Sequence, residues 1–194
     1  MNSLLIATQN AGKLREFQAL LRPRFQCVSV DATAPAVLED GKTYQENAFK
    51  KAKAFFEHYH QPVLSDDSGL EVDALSGAPG IHSARFGGEA ISWPERWKLL
   101  HEKLANFPEK DWAARFRCVL CYFEGQVPLY FEGLAEGLIV RTPKGGKGFG
   151  YDPIFYSTEL KKTFAEASEA EKDRASHRGL AVKAFLKGFK LDRR

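Results

Sequence analysis

The opening of the chain constrains its architecture more than any other stretch. An apolar run, Leu4 to Ala7 between Ser3 and Thr8, stops at the polar pair Gln9-Asn10, and Leu14, Phe17, Leu20 and Leu21 then recur at helical spacing up to Arg22-Pro23. A buried strand, a polar turn and a helix capped by Asn10 follow from that pattern. The turn lies at the carboxyl end of a strand, where α/β sheets bind ligands.

Further elements alternate along the sequence. Thr43-x-x-Glu46 matches a capping box for a helix running to about residue 59, with Ala48, Phe49, Ala52, Phe55, Phe56 and Tyr59 on its apolar face. Pro62 to Ser65 and Leu70 to Ala74 read as two short strands flanking an acidic turn, Asp66-Asp67-Ser68-Gly69. Gly77 to Gly88 reads as a loop, and Ser92-x-x-Glu95 opens a helix carrying Trp93, Trp97, Leu100 and Leu104. Residues 112–123 and 127–140 are β-rich; a second Gly-rich loop, Gly145 to Pro153, precedes a last helical region broken at Ser176-His177-Arg178-Gly179. Helices interleave with strands, so the expected class is α/β, and no linker or repeat divides the chain.

Charge is informative by its distribution. The formal +3 is too small to argue for nucleic acid or an anionic membrane, and no apolar stretch suits a membrane span. Residues 31–80 carry a net −5 and residues 141–194 a net +6, so an acidic first half faces a basic C-terminal third. Cys27, Cys118 and Cys121 are too few for a disulfide framework. Cys118-x-x-Cys121 sits in a strand-like run without zinc partners, which reads as buried structural thiols. With Met1-Asn2-Ser3 lacking a basic leader region, the chain is expected in the cytoplasm.

Several groups suit nucleotide chemistry, although Gly145 to Gly150 matches neither a P-loop nor a dinucleotide fingerprint. Thr8, Gln9, Asn10, Ala11, Gly12 and Lys13 combine helix-start amides, side-chain donors and a cation, as a phosphate site requires; they equally suit a capped helix with a solvated lysine. Asp66 and Asp67, adjacent in a turn, would repel unless a cation or shared proton relieved them; with Glu46 they suit Mg²⁺ held against a triphosphate, or simply a solvated acidic turn. Lys172, Arg174, His177 and Arg178 gather near a helix start, where an anion would offset their mismatch with the dipole. Phe149 and Tyr151 offer rings to a planar base or to the core.

Together, Ala7 to Lys13, Glu46-Asn-Ala-x-x-Lys-Ala52, Ser65-Asp-Asp-Ser-Gly-Leu70, Gly77 to Arg85, Gly148-Phe-Gly-Tyr-Asp-Pro-Ile-Phe155 and Ser176-His-Arg-Gly179 resemble the inosine/xanthosine triphosphate pyrophosphatase family, which includes the bacterial dITP/XTP pyrophosphatases. The resemblance implies hydrolysis of non-standard purine nucleoside triphosphates (ITP, dITP, XTP) to monophosphate and pyrophosphate, Mg²⁺ dependence and a homodimer. It also implies one catalytic domain over residues 1–194, an elongated α/β fold around a curved mixed sheet, its two lobes flanking the nucleotide cleft. By position, Thr8 to Lys13 would bind the triphosphate, Glu46, Asp66 and Asp67 the metal, with Asp67 the general base. Ser68, Phe149, Gly150, Tyr151, Asp152, Lys172, His177 and Arg178 would complete the nucleotide pocket. Gln9 stands where many members have Gly, which would strain a turn needing positive φ. A Maf-type pyrimidine or modified-nucleotide pyrophosphatase and a non-enzymatic nucleotide- or RNA-binding module are the competing expectations.

Overall fold

The computed structural model describes residues 2–191. Among them, strands β1 (Asn2–Ile6), β2 (Phe25–Ser29), β3 (Val63–Val72), β4 (Ala113–Phe123), β5 (Leu129–Ile139), β6 (Phe155–Ser157) and β7 (Lys162–Thr163) form one sheet in the order β2-β1-β3-β4-β5-β6-β7. The helices are α1 (Ala11–Leu21), α2 (Tyr44–Tyr59), α3 (Trp93–Leu104), α4 (Glu169–Ala175) and α5 (His177–Leu191). The sheet is mixed: β1 pairs parallel with β2 and β3, whereas β5–β6 and β6–β7 are antiparallel. By its contacts the chain divides into two compact units, Met1–Asp67 with Cys118–Gly133 and Arg178–Arg194, and Ser68–Arg117 with Leu134–His177.

In the first unit, alternation along β1 buries both faces, as parallel strands flanked by helices require. Leu4 and Ile6 pack with Phe17 and Leu21 of α1 and with Ala181, Val182 and Phe185 of α5. Leu5 and Ala7 face the other way, against Ala48, Ala52 and Phe55 of α2. Burying one such aliphatic side chain contributes about 1.5–3 kcal/mol. β3 continues the alternation, Leu64 packing with the α1/α5 cluster and Val63 with the α2 cluster.

Here the structure corrects the sequence reading. The expected acidic turn does not exist, because β3 runs unbroken from Val63 to Val72 through both aspartates. Asp-Asp-Ser-Gly is turn-like by composition, but cations and an amide supplied by distant elements let the carboxylates be buried within a strand. Strand alternation then sends Asp66 and Asp67 to opposite faces, which relieves their repulsion without a shared ion.

The second unit is built around Leu70, Val72, Leu100, Leu104, Trp112, Phe116, Tyr151, Phe155 and Phe164. A full capping box joins Ser92 and Glu95 at the start of α3, as the sequence predicts. At α2 the box is half made: Thr43 accepts from the Glu46 amide, while the Glu46 carboxylate accepts from the Lys42 amide (2.7 Å). The Gly77–Gly88 segment, expected as a loop, contains a short 3-10 helix, Gly80–Arg85.

Candidate active site

The first unit gathers its polar groups where β1 ends and α1 begins. Asn10 caps α1, its Oδ1 accepting from the amides of Gly12 (2.9 Å) and Lys13 (3.1 Å). Two of the amides expected to meet phosphate therefore already have a partner. Gln9, Asn10 and Ala11 are exposed, and Gln9 is not among the described non-glycine residues with positive φ, so it brings no strain to the turn. Thr8 Oγ1 accepts from the Asn10 amide (3.2 Å).

Lys13 reaches Asp66 Oδ2 (2.8 Å), which also accepts from Arg178 Nη2 (3.2 Å). Arg178 Nη1 pairs with Glu16 Oε2 (2.5 Å), and Arg178 and Asp66 are each only 1% exposed. Burial alone would raise the Asp66 pKa, but the charges of Lys13, Arg178 and Lys51 outweigh it and hold the carboxyl well below the usual range.

On the opposite face, Asn47 Nδ2 donates to Asp67 Oδ2 (3.0 Å). Burial pushes the Asp67 carboxyl up to about 6, against the pull of Lys51, Asn47 and Lys13. Lys51, buried on α2, bonds Glu39 Oε2 (3.0 Å); burial opposes its charge, yet Asp66, Glu39 and Asp67 together raise its pKa. The two carboxylates thus differ sharply, Asp66 being a fixed anion and Asp67 a group poised to exchange a proton near neutral pH.

Among the described residues no group of three or more His, Cys, Asp and Glu side chains is placed to hold a metal ion. Mg²⁺ does not need one, since one or two carboxylates, waters and substrate phosphates complete its shell. Exposed Glu46 and the poorly compensated Asp67 are hard oxygen donors, so their chemistry fits that ion.

In the second unit the turn from Gly148 to Asp152 is held by a buried pair. Lys172 Nζ donates to Asp152 Oδ2 (2.6 Å), which also accepts from the Phe149 amide (2.9 Å), and the same ammonium lies 4.8 Å from the Phe149 ring centroid. Tyr151 is 2% exposed, its ring edge-on to Trp93 (5.3 Å) and its hydroxyl donating to Ser83 O (3.1 Å). Of the two ring candidates, Tyr151 is thus a core anchor, while Phe149 is half-buried. His177 stacks on Phe116 (4.6 Å, 13°), and Ser68 is half-buried on β3.

The expected basic cluster at one helix start is not formed. Lys172 and Arg174 lie in the last turn of α4, where the dipole favours cations, and only His177 and Arg178 begin α5. The anions that offset Arg178 are the protein's own Asp66 and Glu16.

A sequence model of the Ham1 family matches residues 4–188. The chain belongs to the Ham1 family. It is 46% identical over 187 residues to the dITP/XTP pyrophosphatase of Desulforamulus reducens, covering 94% of this chain and 93% of that protein. The dITP/XTP pyrophosphatase of Halalkalibacterium halodurans is 43% identical over 191 residues, covering 96% and 98%. Among solved structures, a HAM1 protein from Coxiella burnetii superposes with a TM-score of 0.89 at 37% identity, covering 98% of this chain and 99% of its own. The Staphylococcus aureus Ham1 protein gives 0.84 at 38%, covering 96% and 99%.

Several residues of this Ham1 site carry no assigned role in the sequence reading. Lys51 lies inside a recognised string, but only the fold shows it facing the aspartates. Asn47 lies in the same string, whereas Glu16 sits at an ordinary helical position that nothing local marks. One prediction arises at Gly148, whose φ is +74° and where a Cβ would stand 2.1 Å from Asp152 Oδ2, an atom that Lys172 holds in place. Gly148→Ala is expected to cost about 2–3 kcal/mol, lowering Tm by roughly 5–10 °C in a melting curve.

Proposed function

We propose that this chain hydrolyses ITP, dITP and XTP between the α and β phosphates, giving the nucleoside monophosphate and pyrophosphate and so clearing these nucleotides before polymerases use them. The observation that carries the chemistry is Asp67, a buried carboxylate with its pKa pushed up to about 6 on the strand beside Lys13 and Lys51. The full-length likeness to proteins named dITP/XTP pyrophosphatase supports the substrate class.

In this reading water attacks the α-phosphorus, forming a new P–O bond; the bond from that phosphorus to the αβ-bridging oxygen breaks, and pyrophosphate leaves. Asp67 accepts the water proton. Lys13 and the start of α1 attract the phosphate oxygens electrostatically. Glu46 and Asp67 would hold Mg²⁺, which would supply charge neutralisation at those oxygens, while Asp66, on the other face of β3, stays paired with Lys13 and Arg178. Phe149 offers its ring to the base, with Asp152, Lys172 and His177 supporting that end of the nucleotide. Selection against adenine would follow if backbone N–H groups donate to the purine 6-oxo oxygen, because the adenine amino group would leave them unpaired.

The competing readings fare worse. A family match over residues 4–188 disfavours a Maf-type enzyme. Against an RNA-binding module, much of the basic C-terminal third is engaged internally, Lys162 with Glu171, Lys172 with Asp152 and Arg178 with Glu16 and Asp66. A cytoplasmic location is supported by the three free cysteines, the buried Cys118 and Cys121 thiols being pushed up to about 12. Among the described residues no helix is long and apolar enough to cross a membrane. A homodimer is supported by the exposed apolar side chains Tyr130, Leu134 and Leu138, which alternate with Glu132 and Glu136 on β5, and light scattering on the purified protein tests it.

The decisive experiment is a substrate panel with and without Mg²⁺ in which pyrophosphate and orthophosphate are read separately. Pyrophosphate from ITP, dITP and XTP is expected at rates far above ATP and GTP, and only with the metal. Orthophosphate as the first product would place attack at the γ-phosphorus and overturn the reading.

A further inference from the structure

We propose that Trp97 is a positioning residue for the Gly148–Asp152 turn, acting through the carbonyl of Gly150. The inference rests on the reading that Phe149 meets the purine base. Phe149 lies between two glycines in the left-handed region, Gly148 at φ +74° and Gly150 at φ +66°. One backbone bond closes this turn, Asp152 N donating to Phe149 O (3.2 Å), and side chains supply further holds on its shape.

Asp152 and Lys172 hold it from within, through the Phe149 amide and ring. A further hold comes from outside the motif: Trp97 Nε1 on α3 donates to Gly150 O at 3.0 Å. An indole N–H only donates, so this contact fixes the direction of the Gly150 carbonyl and hence of the peptide that follows Phe149. Trp93, one turn earlier on the helix, adds a wall. A Cβ built at Gly150 would stand 3.6 Å from its ring, which also meets Tyr151 edge-on.

The helix bearing both tryptophans is itself anchored. Its capping box closes on Ser92 and Glu95, and Arg96, 3% exposed, donates to the carbonyls of Phe86, Gly88 (3.1 Å) and Ile91 (3.3 Å). Trp97 is packed against the second unit's core through its ring, so its N–H is aimed by packing rather than free to search. A turn held in this way need not be ordered when a base arrives, and that favours binding without touching the chemical step.

The test is Trp97→Phe, which keeps a packed ring and removes the N–H, measured beside Phe149→Ala and the double variant. KM for ITP is expected to rise about 3–10-fold with kcat within about twofold, the loss of one hydrogen bond. Amide hydrogen exchange over residues 149–152 is expected to quicken in the nucleotide-free protein. In the double variant Trp97→Phe should add little to the KM effect of Phe149→Ala, because both act through one turn.

Unchanged exchange over 149–152, or KM effects that simply add, would overturn the positioning role. If Phe149→Ala leaves KM for ITP unaltered, the base-site reading fails, while the exchange measurement still judges the hold of Trp97 on the turn. Trp97→Met, which also lacks the N–H, is read by the same exchange and kinetic measurements should Trp97→Phe melt too low for assay.

Discussion

Asp67→Asn is expected to lower kcat for ITP by about 10²–10⁴-fold, the usual contribution of a general base, while the protein folds as before. The amide has nearly the same volume and keeps an oxygen for Asn47 Nδ2, which donates to Asp67 Oδ2 at 3.0 Å. It cannot accept a proton from water. Pyrophosphate release under saturating ITP and Mg²⁺ measures the effect, and an unchanged kcat would remove Asp67 from the chemistry. Stability gives an independent check with a definite sign. Burial raises the folded-state pKa of Asp67 from 3.8 to about 6, so the folded protein favours the protonated form. The stability this group contributes is fully present below pH about 4 and is lost as pH rises through about 6. Melting curves of metal-free protein across that window should show the loss in the parent and a smaller one in Asp67→Asn.

The same two carboxylates show where sequence reasoning succeeds and where it stops. The β1 strand, the Asn10 cap, the α3 capping box and the break at Ser176 are all legible, because the determining residues lie within a few positions of one another. Asp66-Asp67 is different. Its local composition favours a turn, and the partners that turn it into buried strand come from Lys13, Asn47 and Arg178. No window of ordinary length contains those five residues, so tertiary electrostatics overrides local propensity there. The short strands β2, β6 and β7 fail for another reason: at five, three and two residues they carry too little periodicity to register. The resemblance supplies the family and the relevant strings, whereas the assignment of Asp66 to a cationic pair and Asp67 to a proton-accepting position requires the alternation of β3.

Arg178→Ala should then be the most destabilising single change at the site, by about 3–5 kcal/mol, because it removes one partner from a buried charge network. Asp66 and Arg178 are each 1% exposed, and the same guanidinium also binds Glu16. Without it, Glu16 and Asp66 each lose their contact with the guanidinium, while Asp66 keeps Lys13 at 2.8 Å. Arg178→Lys is expected to fall between the two, since one ammonium cannot reproduce separate Nη1 and Nη2 contacts to two carboxylates. Chemical denaturation separates the outcomes, and an Arg178→Ala protein as stable as its parent would show that the network is not a stabilising element. Adding Glu16→Gln to Arg178→Ala should recover part of the loss, because it removes a carboxylate whose pairing with the guanidinium the variant has lost. The acid limb carries the opposite sign to that of Asp67: Lys13 and Arg178 overcome burial to depress the Asp66 pKa, so its contribution is present above pH about 4 and is lost as pH falls below that. Removing Arg178 weakens that depression, and the parent and Arg178→Ala stability curves should converge as the pH is lowered.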